Sequence, residues 1–533
     1  VEVYGSLQKK VWEYKFSYSD IPKAGLSLLE SAQICYPSGQ CSISTKYEYE
    51  GLDSSVTESP NSLLPGLGSQ EIGLESSSRF ATDLNRDGFT DFVALGKKQL
   101  EVSWGKLAGL SPDLESIPFS LPTGWKGKDH PVFIGELNGD GYPDLILSIN
   151  KGDTEATGLW VALGNGRGFH DGKFATPKFG KNWNFSEDYI SLHDVNLDGL
   201  SDVVGVDVNG VHVALSDGKG SFHVGSWKKV EPEENAIWIG KKRPKMFVDV
   251  TGDNYPDLIT FHDDGVYVSR GDGQSFSRFE KWSEEFAGSA SVADYADSQR
   301  QLADVNGDGL SDLVLFDFEG VRVALNNGKT FTPSVLWLNG LTGKTGWSER
   351  RALRTTLDWN KDGYLDFVGL DSSKGLVIYF GNGLAFPSDP SASASNHAVP
   401  GFSSWQKDRR PLYIGDFDNN GSLDFAALFA NGLRLVYAKE QQPRLSRTVD
   451  TLGKISRVRY MSAANPEVYS QQADVSYPLR ALVGTSLLVH ELSEEFLDSR
   501  KKILKYHYRD GLIHQAGLGF LGFREWDVTD LSV

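Results

Sequence analysis

Cysteine is almost absent. Cys35 and Cys41 are the only two in 533 residues, which excludes a scaffold framed by several disulfides and leaves folding to an apolar core, for which this length is ample. No stretch approaches the ~20 consecutive apolar residues of a membrane-spanning helix. Basic charge is in deficit, with 53 Lys and Arg against 71 Asp and Glu and a formal net charge of −18. No basic stripe is segregated, so a polyphosphate partner would be repelled and no nucleic-acid partner is expected. Ten His residues are scattered, with no His-Glu-x-x-His, no Gly-x-Ser-x-Gly, no P-loop and no dinucleotide fingerprint. The sequence therefore predicts a protein that is not an enzyme, and His193 and His490 read as structural. The chain opens Val1-Glu2-Val3-Tyr4 without Met or a signal peptide, which predicts a processed or partial chain.

Turn-formers are plentiful. Gly numbers 57 and Pro 21, aromatics make up 12%, and short Val/Ile/Phe/Tyr runs alternate with Gly/Asp/Asn clusters, the composition of an all-β protein. One nine-residue pattern recurs seven times. It reads Asp83-Leu-Asn85-Arg-Asp87-Gly-Phe-Thr-Asp91, Glu136-Leu-Asn138-Gly-Asp140-Gly-Tyr-Pro-Asp144, Asp194-Val-Asn196-Leu-Asp198-Gly-Leu-Ser-Asp202 and Asp249-Val-Thr251-Gly-Asp253-Asn-Tyr-Pro-Asp257. It continues as Asp304-Val-Asn306-Gly-Asp308-Gly-Leu-Ser-Asp312, Asp358-Trp-Asn360-Lys-Asp362-Gly-Tyr-Leu-Asp366 and Asp416-Phe-Asp418-Asn-Asn420-Gly-Ser-Leu-Asp424. First positions lie 53, 58, 55, 55, 54 and 58 residues apart.

Each copy leads into an apolar run such as Val203-Val-Gly-Val or Leu313-Val-Leu-Phe, as a strand covered on both faces would be. A second strand follows, then a Gly turn that ends in Phe: Phe169, Phe222, Phe276, Phe331 and Phe386. About 55 residues with about four short strands make one propeller blade, and radial repetition protects the sheet edges. Seven blades are expected, within a range of six to eight. Trp160, Trp183, Trp238, Trp337, Trp359 and Trp405 read as packing between blades rather than as sugar platforms.

Positions one, three, five and nine of the pattern carry side-chain oxygens, and the carbonyl of position seven can add another, as in the calcium loops of EF-hands. Hard oxygen donors select Ca²⁺. Three carboxylates packed this closely repel one another without a cation. Gly at position six permits the positive φ that curls the loop, and Asn254 tolerates it in the fourth copy. Glu136, Thr251 and the exchanged pair Asp418 and Asn420 depart from the pattern and weaken the donor set there. Up to seven Ca²⁺ are expected, which would bring the formal charge from −18 to −4. Between Cys35 and Cys41, five residues with Pro and Ser-Gly turn the chain back, so a disulfide joining neighbouring strands and an oxidising site of residence are expected.

The repeats resemble the FG-GAP/VCBS family over about residues 76–438, which implies a propeller scaffold and no particular function. The flanks resemble the bacterial Rhs/YD-repeat proteins, nearest to the B component of tripartite insecticidal toxin complexes. The residues that carry this likeness are Val11-Trp-Glu-Tyr-Lys-Phe-Ser-Tyr18, Leu28-Leu-Glu-Ser-Ala-Gln-Ile-Cys35, Gly453-Lys-Ile-Ser-Arg-Val-Arg-Tyr460, Tyr477-Pro478-Leu-Arg480, Lys505-Tyr-His-Tyr508 and Gly517-Leu-Gly519-Phe520-Leu-Gly522-Phe523. The resemblance implies a partial shell for a toxic polypeptide and a propeller that docks a pore-forming translocator, in a secreted protein. The rival expectation is a secreted lectin or adhesin, with a glycan or receptor as partner. Residues 1–75 are expected to be a pre-propeller strand segment, 76–438 the propeller and 439–533 a post-propeller strand segment. The two flanks need partner strands, so they are expected to pair as one module, with the chain entering the propeller near Glu71 and leaving near Lys439.

Overall fold

The computed structural model describes residues 2–4, 10–21, 26–51, 56–64, 67, 79–96, 98–106, 109–122, 125, 131–149, 157–177, 179–180, 189–231, 234, 244–286, 299–347, 352–384, 394–397, 412–418, 420, 422–429, 432–438, 443–472, 475, 479–482, 486–514 and 519–532. Glu71, Trp183, Trp238, Phe386, Trp405, Lys439, Tyr477, Pro478 and Gly517, singled out above, lie outside them.

Seven antiparallel four-stranded sheets form a seven-bladed propeller. Blade three shows the plan: Tyr189–His193, Asp202–Asp207, Gly210–Ser216 and Phe222–Lys229 pair in chain order. The acidic loop joins the first strand to the second, and the second is an inner strand with neighbours on both sides, apolar from Val203 to Val206 and buried along nearly its whole length. First strands of neighbouring blades touch at the junctions of blades two and three, five and six, and seven and one, the last of which closes the ring. Apolar clusters fill the spaces between blades. In one, Leu84, Val93 and Leu100 of blade one meet Leu145, Leu147 and Trp160 of blade two. Trp160, Trp337 and Trp359 are all buried. Phe276 and Phe331, at the ends of their Gly turns, donate their N–H groups to the carbonyls of Trp227 and Trp282 in the preceding blades, at 3.3 and 3.2 Å.

Blade seven corrects the expected boundary. Its first three strands are Leu412–Gly415, Asp424–Phe429 and Gly432–Ala438, but its fourth is Val56–Leu64, from the amino-terminal flank. The propeller thus begins before residue 76. Leu64 is fully buried with Leu67, Phe92, Ala94, Leu433 and Leu435, between blades seven and one.

The remaining strands form one eleven-stranded sheet. Lys10–Ile21, Leu26–Cys35 and Thr45–Glu50 come from the amino-terminal flank, and Thr45–Glu50 pairs with Arg444–Val449, which continues into Ile455–Ser462, Leu487–Glu495 and Lys501–His514. The flanks therefore pair, through Thr45–Glu50 rather than through Val11–Tyr18, whose neighbour is Leu26–Cys35. Val56 lies opposite Ala438, and Glu50 lies opposite Arg444, six residues further along each segment. The two pairs share one offset, and the register shifts once within each ladder, between Arg434 and Val436 and between Leu445 and Arg447. Cys35 and Cys41 are disulfide-bonded at the end of Leu26–Cys35. Gly519–Asp530, on the outer side of Lys501–His514, has no second neighbour among the described residues and exposes Phe520, Trp526 and Val528. Among the described residues no helix is long and apolar enough to cross a membrane.

If the seventh blade is closed in this way, Leu64→Ala should destabilise the propeller by about 2–4 kcal/mol, the usual cost of emptying a buried leucine site. Urea unfolding followed by tryptophan fluorescence measures it. An unchanged midpoint would mean that Val56–Leu64 does not close the ring.

Candidate metal centres

Each loop is built by its own side-chain oxygens. At position one, Asp83, Asp194, Asp304 and Asp358 each accept the N–H of position five through Oδ1, at 3.1 Å, and that of position six through Oδ2, at 2.8–3.0 Å. At position three, Asn85, Asn138, Asn196, Asn306 and Asn360 donate to the carboxylates of Asp87, Asp140, Asp198, Asp308 and Asp362. Those carboxylates, and that of Asp253, in turn accept the N–H of position seven. The chain is thus wound around a small set of oxygens by side chain-to-backbone bonds.

Position nine does more than sequence reasoning assigned to it. Asp91, Asp144, Asp202, Asp257, Asp312, Asp366 and Asp424 are all completely buried. In every copy Oδ2 accepts the N–H of position two, at 2.8–3.1 Å. In every copy Oδ1 accepts an N–H just beyond or at the end of the third strand, at 2.7–2.9 Å: Gly105, Gly164, Ser216, Gly271, Asn326, Gly381 and Ala438. One carboxylate therefore ties the loop, the second strand and the third strand together. In copies six and seven Oδ2 also accepts the N–H of position three, from Asn360 at 3.4 Å and Asp418 at 3.3 Å; Oδ1 keeps a second lone pair, so the clamp and a cation are compatible.

Burial pushes these acids up. Asp91, Asp144 and Asp202 are raised to about 7, and Asp257 and Asp312 to about 6, with the neighbouring carboxylates adding to the shift. Asp366 and Asp424 are raised well above the ordinary carboxylate range for the same reasons. Asp83 is raised to about 6, and Glu136, Asp194 and Asp358 are also raised, again chiefly by burial. A desolvated group of like charges is the electrostatic setting that a hard dication relieves, so the residues present fit one.

The departures from the pattern keep the loop shape. Glu136 reaches the position-six N–H of Gly141 with Oε2 at 2.6 Å and those of Asn138 and Gly139 with Oε1. Thr251 donates its hydroxyl to Asp249, whose other oxygen accepts the N–H of Asn254. In the seventh copy Asn420 donates to Asp418, the reverse of the usual direction, and Asp416, Asp418 and Asp424 bring carboxylate oxygens within 4.8 Å of one another. Moving the acid from position five to position three thus concentrates charge at that loop.

Sequence reasoning missed position four. Gly139, Gly252 and Gly307 are left-handed there, and so are Arg86, Leu197 and Lys361 at φ of 61, 60 and 57°. The three glycines were the available signal. Asn254 is left-handed at position six, with φ of 72°. His193 packs 5.3 Å from the ring of Phe247, and burial lowers its pKa to about 4, so the ring is neutral.

The FG-GAP-like repeat family matches residues 83–147, and the repeat and the seven-bladed propeller agree. No curated protein matches the chain. Among solved structures the chain is similar to an Agrocybe aegerita lectin, described by its specific recognition of non-reducing terminal N-acetylglucosamine. The two share 23% identity at a TM-score of 0.55, over 68% of this chain and 94% of that one. It is also similar to a chain of the Photorhabdus luminescens Tc holotoxin pore, at 15% identity and a TM-score of 0.58, over 98% of this chain and 21% of that one. This chain spans about a fifth of the toxin-complex chain's length. Both likenesses are of fold.

Asp202→Ala should cost about 2–5 kcal/mol, because it strands the buried N–H groups of Val195 and Ser216. Asp198→Ala, at a more exposed position, should cost less. Equal losses in urea unfolding would refute the clamp. The pH dependence follows from the sign of the shifts. A carboxyl raised in the folded state holds a proton there that the unfolded chain has released, so its contribution is present below about pH 4 and is lost as pH rises through about 7. In chelator, stability should fall over that window, and less steeply in Asp202→Asn, which cannot titrate. Parallel pH profiles would contradict this.

Proposed function

We propose that this chain is a non-catalytic component of a bacterial toxin complex or Rhs-type toxin, secreted from the cell. Its calcium-stabilised propeller docks a pore-forming translocator, and its large sheet is part of a shell around a toxic polypeptide. The observation that carries this reading is that the two flanks pair with each other twice, as Val56–Leu64 on Gly432–Ala438 in blade seven and as Thr45–Glu50 on Arg444–Val449 in the eleven-stranded sheet. A sugar-binding propeller does not need those eleven strands, and the likeness to the toxin-complex chain extends over them, covering 98% of this chain. The test is co-elution of the purified chain with a translocator subunit of such a complex on size exclusion, read again after blade-face substitutions. Failure to bind any translocator while a glycan array gives specific hits would favour the rival.

That rival, a glycan-binding propeller, has one observation in its favour. A groove of about 350 Å³ runs between blades four and five, lined by Ser283, Glu285 and Thr332 beside the buried rings of Trp282 and Phe331, a concave surface with polar groups of the kind a small ligand uses. Binding lost in Glu285→Ala and Thr332→Ala would support it.

Calcium in this reading is held by side chains at positions one, three and five, with position nine completing the set: Asp304, Asn306, Asp308 and Asp312 in the fifth loop. The ion would supply charge neutralisation and cross-linking. Binding to the folded state alone adds about 2.7 kcal/mol per site at a hundredfold excess over the dissociation constant. Melting in millimolar calcium should therefore occur well above melting in EDTA, and no difference would remove calcium from the account.

A further inference from the structure

We propose that neighbouring acidic loops are coupled where the fourth residue of one bears on the next, so that a cation held in one favours a cation in its neighbour. The inference rests on the calcium reading above and adds a property that the repeat itself does not contain.

The contact is most developed between the first two loops. Arg86, at position four of loop one, crosses to loop two and donates from Nη1 to the carbonyl of Asp140 at 2.5 Å. Its guanidinium lies 5.0 Å from the ring centroid of Tyr142, at position seven, close to a cation–π arrangement. It also fills the space beside Gly141, where a Cβ would lie 2.9 Å from the Arg86 Cζ. The same geometry recurs elsewhere in the ring. A Cβ on Gly252, position four of loop four, would lie 3.0 Å from Cδ2 of Leu310, position seven of loop five. A Cβ on Gly307, position four of loop five, would lie 3.0 Å from Cε1 of Tyr364, position seven of loop six. Three junctions thus place position four of one loop against position seven of the next.

These two positions are where coupling would act. Position four is left-handed between positions three and five, both of which offer oxygens to the ion, so a cation that fixes those oxygens also fixes the backbone at position four. Position seven donates its N–H to the position-five carboxylate, as Tyr142 does to Asp140 at 2.8 Å. Ordering loop one therefore holds Arg86 where it braces Asp140 and Tyr142, and loop two then has less freedom to lose when its own ion binds. Ordering entropy already spent by a first ligand appears as positive cooperativity for the second.

Calcium titrations of the full chain followed by hydrogen exchange of the peptides that carry loops one and two test this. In Asp87→Asn, which damages loop one, and in Arg86→Ala, which leaves the oxygens of loop one in place, the calcium midpoint for protection of loop two is expected to rise about fivefold or more, the lower end of measured couplings. Coupling is reciprocal, so Asp140→Asn should shift the loop one midpoint by a similar factor. A purely structural Arg86 would lower protection of loop two without moving its midpoint. Calcium-dependent protection with unshifted midpoints would overturn the coupling and leave the calcium reading standing. The absence of any calcium-dependent protection in the unsubstituted chain would overturn both.

Discussion

The pairing of the segment around Thr45–Leu64 with the segment around Gly432–Val449 is the interaction on which the rest of the architecture depends. It supplies the outer strand of blade seven, and it seats the two flanks side by side in one sheet. A propeller whose last blade lacks a strand leaves an open edge and a gap in the packing between blades seven and one, where Leu64 sits with Phe92 and Leu433. The eleven-stranded sheet relies on the neighbouring ladder between Thr45–Glu50 and Arg444–Val449. Without it, the amino-terminal strands would be separated from Arg444–Val449 and each group would need another partner.

Within each blade the position-nine carboxylate has the comparable role at smaller scale. It is placed by the chain rather than by an ion, since its two oxygens are engaged by backbone N–H groups from the loop and from the third strand. The residue is therefore acidic for structural reasons, since an amide offers only one acceptor oxygen for the two N–H groups, and its charge then comes with a desolvation cost that raises its proton affinity. A cation in the loop offsets that cost. Clamp and ligand are two uses of one side chain, and the first explains why the position is filled by Asp even in the copies whose positions one and three deviate, at Glu136 and Thr251.

Much of this was legible in the sequence because the repeat carries its own signal. The seven blades, the second strands and the loop oxygens follow from a period of about 55 residues. The closing strand was not legible. Val56-Thr-Glu-Ser-Pro60 has no repeat pattern, contains a proline of the kind confined to edge strands, and finds its partner more than 370 residues away. The clamp was hidden for another reason. Its partners are backbone N–H groups of residues as different as Gly105, Ser216, Asn326 and Ala438, and a backbone donor leaves no mark on residue type. Left-handed positions held by Arg86, Leu197 and Lys361 were equally hidden, because a strained non-glycine residue reads as an ordinary one. The flanks showed that they needed partner strands, but their register depends on contacts between distant segments.

Seen from the large sheet, the propeller is a hairpin loop. Glu50 and Arg444 are antiparallel neighbours, and everything between them is the connection. Closing a flexible loop of that length would cost about 5 kcal/mol in chain entropy, before any strand pair is gained. A folded propeller removes most of that cost by delivering its two ends together. On this entropy argument the join between Thr45–Glu50 and Arg444–Val449 is favoured only once the blades are packed. Lys10–Ile21, Leu26–Cys35 and Thr45–Glu50 can pair among themselves, but the far edge of Thr45–Glu50 stays open during synthesis until Arg444–Val449 has emerged, which makes that edge the one most exposed to wrong partners.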